Sequence, residues 1–200
     1  GSTSYYTAEY YAGKNLTTVE FEEGVKNIGA RAYYSYRTST NSGMPNLKNI
    51  KLASTVKKIG DYAFCNNKAI TDFDFSNIEE LGERSFSGCS GLSDLTIPAG
   101  LKEIPASCFY GCTGLSSLKI PETIEKVWGD AFEGCTGIKE LTMPVDLDYV
   151  KTYSSTDGYS SFEKCENIEK ITYSKGKTGT MPDIESGSTS YYTAEYYAGN

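Results

Sequence analysis

Histidine is absent from all 200 residues. That removes the commonest general base and metal ligand, and with it every Ser–His or Cys–His nucleophile arrangement. No Gly-rich phosphate loop is present either. No apolar stretch approaches the ~20 residues that span a bilayer as a helix. Residues 1 to 15, "GSTSYYTAEYYAGKN", have neither the basic start nor the apolar run of a signal peptide, so the chain reads as a mature fragment. Positive charge is in deficit. With 19 Lys plus Arg against 26 Asp plus Glu the net charge is -7, which repels phosphate backbones and makes nucleic acid and anionic membrane poor partners. No catalytic residue, metal site or cofactor is expected.

What the chain has in quantity is self-similarity. Seven aliphatic openers, Leu16, Leu47, Ile70, Leu92, Leu115, Ile138 and Ile168, follow one another at spacings of 31, 23, 22, 23, 23 and 30. A fixed period in this range means stacked units that bury a core only against their neighbours. Three residues after each opener, and again two further on, come apolar side chains (Val19/Phe21, Ile50/Leu52, Phe73/Phe75, Leu95/Ile97, Leu118/Ile120, Leu141/Met143, Ile171/Tyr173). That is the alternation of a strand with one buried face. Pro98, Pro121 and Pro144 follow in later units, and a residue with no backbone N–H ends strand pairing, so the strands are short. Two further aliphatics recur three apart (Val25/Ile28, Val56/Ile59, Ile78/Leu81, Leu101/Ile104, Ile124/Val127, Leu147/Val150). That spacing suits a turn of helix or of 3₁₀ better than a strand.

The return arm ends in a small residue followed by an aromatic: Ala32-Tyr33, Ala63-Phe64, Ser85-Phe86, Cys108-Phe109, Ala131-Phe132 and Ser161-Phe162. Rings at one place in six units imply a stacked aromatic spine. Three positions later stand Asn67, Cys89, Cys112, Cys135 and Cys165, a turn ladder in which a compact polar or soft side chain serves buried backbone groups.

Opener, "IP", paired aliphatics, "IG", "AF", "GC" and next opener resemble the BspA-like repeats of the leucine-rich repeat superfamily, over roughly residues 16 to 171. The resemblance implies a right-handed leucine-rich-repeat solenoid with short parallel strands on one face and irregular, 3₁₀ or helical return arms, in about seven repeats of 22 to 23 residues with two insertions. It also implies an extracellular or cell-surface, adhesin-like protein that binds a protein or glycan of a host or neighbouring cell. "IP" is missing from the first three units, and Gly gives way to Pro105 and Trp128 in the fourth and fifth. We take residues 1–200 as a single domain: 1–15 the tail of a preceding repeat, 16–171 the regular repeats, and 172–200 an irregular terminal repeat.

"GSTSYYTAEYYAG" at 1–13 recurs letter for letter at 187–199. The first copy falls in phase with the repeats, which points to a parent protein carrying this block in tandem rather than to a duplication at cloning. Uncapped ends expose strand edge and core, so the Tyr-rich end segments are expected to cover them or to support head-to-tail self-association.

Six cysteines would allow three disulfides in a secreted protein. Adjacent rungs lie about 4.8 Å apart, within the Cα range for a bridge, yet equivalent side chains point the same way, and buried free thiols are the reading preferred. Asp72, Asp74 and Asp94 fall on the outward strand face, Asp74 beside Lys51 and Asp72 near Asp94. They could hold Ca²⁺ through oxygen ligands or pose as a glycosidase pair, against the plainer reading of a solvated charged face. The insertions "YSYRTSTNSGM" and "KTYSSTDGYS" have the Tyr, Ser, Thr and Gly mixture of adaptable recognition loops, which makes Tyr34, Tyr36, Arg37, Tyr153 and Tyr159 candidate contacts. Trp128, in a slot that is Gly in three other units, is a candidate stacking platform or lid. The functions in view are a non-catalytic interaction module, a structural spacer, and, more distantly, a carbohydrate-active enzyme.

Overall fold

The computed structural model describes residues 13–35, 44–150 and 161–179. Among them are eleven short strands and no helix: β1 (Thr18–Glu20), β2 (Asn27–Ile28), β3 (Asn49–Lys51), β4 (Lys58–Ile59), β5 (Glu80–Leu81), β6 (Glu103–Ile104), β7 (Ser117–Lys119), β8 (Lys126–Trp128), β9 (Glu140–Pro144), β10 (Asp148–Val150) and β11 (Lys170–Ser174). Every pairing is parallel and joins equivalent positions of successive units. Each unit is therefore one rung of a stack.

The strands fall into two columns. In the first, β1 pairs with β3 and β7 with β9 and then β11, with Val19 opposite Ile50 and Leu118 opposite Leu141. An isolated bridge from Thr96 to Lys119 ties in the fourth rung. Alternation holds as expected: Leu118 is buried between exposed Ser117 and Lys119. Pro144 does not sit beyond its strand but closes β9, and one more bond follows it, Val145 N–H to Ser174 O at 3.0 Å.

The second column corrects the expected helical or 3₁₀ return arm. Ile28, Ile59, Leu81, Ile104 and Val127 lie in strands, arranged β2-β4-β5 and β6-β8-β10. Only the first aliphatic of each pair occupies a turn, closed by bonds such as Val56 N–H to Ala53 O and Ile124 N–H to Pro121 O, both 3.1 Å. A rung this short must turn and extend again within a few residues, and pairing with the next rung satisfies backbone groups that an isolated helical turn would leave open.

Beyond the second column the arm alternates two kinds of bond. Phe64 N–H donates to Ser85 O and Phe109 N–H to Ala131 O, both 2.8 Å across rungs, while Ala63 and Cys65 N–H groups turn back to Gly60 O and Tyr62 O. The residue two before each of the first five aromatics takes a left-handed conformation: Arg31, Tyr62, Arg84, Ser107 and Asp130, with φ of 53 to 60°. Non-Gly residues adopt it at some cost, which the cross-rung bonds offset.

The aromatic spine forms as read. Tyr33, Phe64, Phe86, Phe109, Phe132 and Phe162 stack in sequence at centroid spacings of 5.4, 5.4, 5.8, 5.5 and 5.4 Å. The turn ladder also does the work expected of it. Cys89, Cys112, Cys135 and Cys165 each donate a thiol proton to the carbonyl of the preceding rung's aromatic, at 3.1 to 3.3 Å. Asn67 makes the same link to Tyr33 O at 2.6 Å, but its Oδ1 is buried with no partner. All six cysteines are buried and free.

Candidate interaction surface

On the outward strand face, neighbouring rungs place opposite charges side by side. Lys51 pairs with Glu20 at 3.3 Å and Lys139 with Glu169 at 3.0 Å. Asp72, Asp74 and Asp94 are exposed, and the expected partnership of Asp74 with Lys51 is not made, because Lys51 turns to Glu20. Asp74 instead accepts the Ser76 N–H at 2.9 Å, and bonds from the Ser76 side chain and backbone hold its carboxyl below the usual range. Asp72 accepts the hydroxyl of Thr71. Among the described residues no three acidic or thiol side chains converge as ligands for a metal, so these aspartates do not form the oxygen cage weighed above. A depression of about 250 Å³ lies between Glu122, Glu125, Lys126 and Asp146. The Asp146 carboxylate is occupied there by the N–H groups of Lys177 and Thr178.

Trp128 closes β8, half-buried, and its Nε1–H donates to Glu103 Oε2 at 2.9 Å. It is tied to the neighbouring rung rather than presented as an open platform. The Gly slot it replaces is open in the first unit, where Gly29 is exposed with nothing near a would-be Cβ, and closed in the next two: a Cβ at Gly60 would come within 2.6 Å of Ala30 N, and one at Gly82 would meet Asp61 N. At Gly60 and Gly82 glycine stands because backbones approach.

The return-arm edge is where exposed aromatic and charged groups converge. Left-handed geometry two residues before the spine turns the side chains of Arg31, Tyr62 and Arg84 into one column. Arg31 Cζ lies 5.2 Å from the Tyr62 ring centroid and Arg84 Cζ 5.9 Å. Tyr34, one residue past its spine ring, meets Tyr62 edge to face at 6.0 Å. In that neighbouring column, Tyr34 is followed by buried Cys65 and Ser87 and then by Tyr110, which is 41% exposed. Two small side chains thus lie between two tyrosines. Five ion-pairing lysines find glutamates, yet neither Arg31 nor Arg84 pairs with a described carboxylate. A guanidinium stacked on a ring keeps its in-plane N–H fork free.

Further along, the same edge becomes acidic. Glu133, 6% exposed, is bound by Lys164 at 2.5 Å, and Lys164 reaches Glu163 only at 4.0 Å. Burial, with Glu133 and Glu163 close by, raises the Asp130 carboxyl above its usual range, opposed by Arg84 and Lys164. Asp130 Oδ1 is buried without a hydrogen-bond partner.

Of the residues singled out by sequence, the structure therefore brings Tyr34 into a cluster, ties Trp128 to Glu103 and leaves Asp72, Asp74 and Asp94 exposed on the strand face. Tyr36, Arg37, Tyr153 and Tyr159 lie outside the described residues, as do both copies of the end segment apart from Gly13. Arg31, Tyr62, Arg84, Tyr110 and Asp130 were missed. Their signal was positional, two before and one after each spine aromatic, columns that carry no consensus residue.

A family model described as BspA type Leucine rich repeat region matches in six copies over residues 37–157. The chain belongs to this family. No curated protein matches it. Among solved structures, a leucine-rich repeat protein from Eubacterium ventriosum is 24% identical over 72% of this chain and 40% of its own, with a TM-score of 0.55. The T. pallidum leucine rich repeat protein is 22% identical over 68% and 74%, with a TM-score of 0.53. A leucine rich cell surface protein from Faecalibacterium prausnitzii is 17% identical over 86% and 63%, with a TM-score of 0.45. With the first two of these the BspA-type chain shares a fold, and it spans 40% and 63% of the lengths of the first and third.

Proposed function

We propose that this BspA-type chain is a non-catalytic interaction module of a secreted or cell-surface, adhesin-like protein, a right-handed solenoid of about seven repeats whose return-arm edge makes the contact. The observation that carries this is the stack of Arg31, Tyr62 and Arg84, with Tyr34 against it and both guanidinium forks unused by described carboxylates. Tyr and Arg dominate the energetics of recognition surfaces because they offer wide contact area and directed hydrogen bonds at low entropic cost. The partner read from the family resemblance is a protein or glycan of a host or neighbouring cell.

The test is a glycan and matrix-protein array probed with the wild type and with Tyr62→Ala/Arg84→Ala. Loss of signal in the double variant is expected, and a variant binding as strongly as the wild type rejects this surface. One observation favours a second reading, a spacer: the identical segments at 1–13 and 187–199 suit serial blocks that hold another domain outward. An array on which the wild type binds nothing shifts the weight there.

A further inference from the structure

The two ends of the stack present faces that fit each other. Among the described residues β1 pairs only with β3 and β11 only with β9, so each end carries a strand with one open edge. The apolar side chains there are less covered than their equivalents inside. Leu16 is half-buried where every later opener is buried, and Val25 is 36% exposed where Val56, one rung on, is at 0%. At the other end Ile171 and Tyr173 are half-buried, while Leu141 and Met143 one rung earlier are buried.

Sequence phase says which end meets which. A spine aromatic stands six residues before the next opener, as Phe64 does before Ile70 and Phe162 before Ile168, and Tyr10 stands six before Leu16. The tract that leads into Leu16, "GSTSYYTAEYYAG", is also the tract that follows β11, at 187–199. The rung opened by Ile168 thus ends in the sequence that precedes the first rung. Charge agrees. From Leu16 to Ile28 the charged residues are Glu20, Glu22, Glu23 and Lys26, and from Ile168 to Gly179 they are Glu169, Lys170, Lys175 and Lys177. Glu20 and Glu169 are held by Lys51 and Lys139, and Glu23 accepts from Ser54. Lys26 lies beyond the turn that follows β1, so that turn is acidic, at Glu22 and Glu23. The turn after β11 is basic, at Lys175 and Lys177, and neither lysine has an ion pair with a described residue.

We infer that the last rung of one copy of this chain stacks on the first rung of another, β11 pairing in parallel with β1. The repeat template sets Ile171 opposite Val19 and Tyr173 opposite Phe21, with Lys175 and Lys177 against Glu22 and Glu23. Opposite charges on neighbouring rungs already pair in this way inside the stack, Lys51 with Glu20 and Lys58 with Glu80. Residues 187–199 of one copy take the place of residues 1–13 of the other. That exchange is between identical sequences, so strand pairing and the cover given to Leu16 and Val25 are gained on top of it. The contact is one rung face on another, the kind that holds the interior together. It joins unlike surfaces and does not close, so it builds open chains. Because it covers the end faces and leaves the return-arm edge in solvent, it stands apart from the recognition surface proposed above.

Sedimentation velocity of the full chain over a range of concentrations tests this. The wild type is expected to grow past the dimer into longer chains as concentration rises. Lys175→Glu/Lys177→Glu should weaken association by roughly tenfold or more, as should Glu22→Lys/Glu23→Lys, because like charges then meet at the joint. An equimolar mixture of the two should restore growth, since every joint of an alternating chain is complementary, a result that misfolding of either could not produce. Register is read with Thr18→Cys/Lys170→Cys, two exposed positions that the joint sets directly opposite each other. A short bifunctional maleimide should turn that variant into a ladder of covalent oligomers and leave the wild type, whose cysteines are all buried, unlinked. A wild type monomeric at high concentration overturns the joint. So does growth that stops at a dimer, a mixture of the charge variants that stays monomeric, or a Thr18→Cys/Lys170→Cys chain that gives no ladder.

Discussion

The strand face and the return arm of this molecule are built from the same rungs, but only one of them runs without a break. The first strand column is interrupted at the third rung, where residues 72–74 form no strand, and the second column is divided between β5 and β6. The aromatic spine and the cross-rung bonds of the arm pass straight through that level: Phe64, Phe86 and Phe109 stack in sequence, and Phe64 N–H and Phe86 N–H each reach the next rung's carbonyl. The third unit is the shortest, at 22 residues, and carries Phe73 and Phe75 where others have mainly aliphatics. Their rings pack against Phe86 at 4.8 and 5.0 Å. Continuity therefore resides in the arm, which buries rings and thiols, and the strand face tolerates a gap because its outward side chains are solvated.

Alkali should break that comparison most completely, because it deprotonates the buried thiols on which the arm depends. Burial pushes the thiols of Cys108 and Cys165 up to about 12 from an ordinary 9.0, and raises Cys89, Cys112 and Cys135 as well. The folded state holds these protons more tightly than the unfolded chain. Its advantage is whole below about pH 9 and is lost as pH climbs toward 12. Circular dichroism should show cooperative unfolding inside that window, with alkylation of the column thiols only after it; labelling of Cys112 in the native protein at pH 8 would contradict the burial on which the ladder depends.

A smaller lesion on the same side is Phe86→Ala. Removing a ring packed between Phe64 and Phe109 and touched by Phe73 and Phe75 should cost about 3–5 kcal/mol, read as a lowered midpoint in urea. If spine and strands were independent, the loss would be local and the transition would become biphasic.

The strand side should respond least. Lys51→Ala breaks an ion pair whose side chains are 63% and 64% exposed, and exposed pairs contribute about 0–1 kcal/mol. A midpoint shift comparable to that of Phe86→Ala would mean the strand face carries more of the stability than its gap suggests.

The register was legible from the sequence because each rung must repeat the same burial. An opener at 0% exposure in five rungs, a ring at the same depth and a thiol three residues on leave periodic marks, since each contacts its own equivalents above and below. From that periodicity came the spine, the parallel first column, the buried free thiols and the family. The return arm was misread because aliphatics three apart fit a helical turn and also fit a turn followed by two extended residues. Only the neighbouring rung, by offering carbonyls at the right height, selects the second. Asp72, Asp74 and Asp94 were grouped by rung arithmetic, which could not foresee that the carboxylates of the third rung accept from Thr71 and Ser76 beside them. The return-arm edge was invisible for a related reason. Which of Arg31, Tyr62, Arg84 and Asp130 meet depends on a left-handed backbone at each and on rung-to-rung stacking, so residues some twenty or thirty positions apart become neighbours without any motif to announce them.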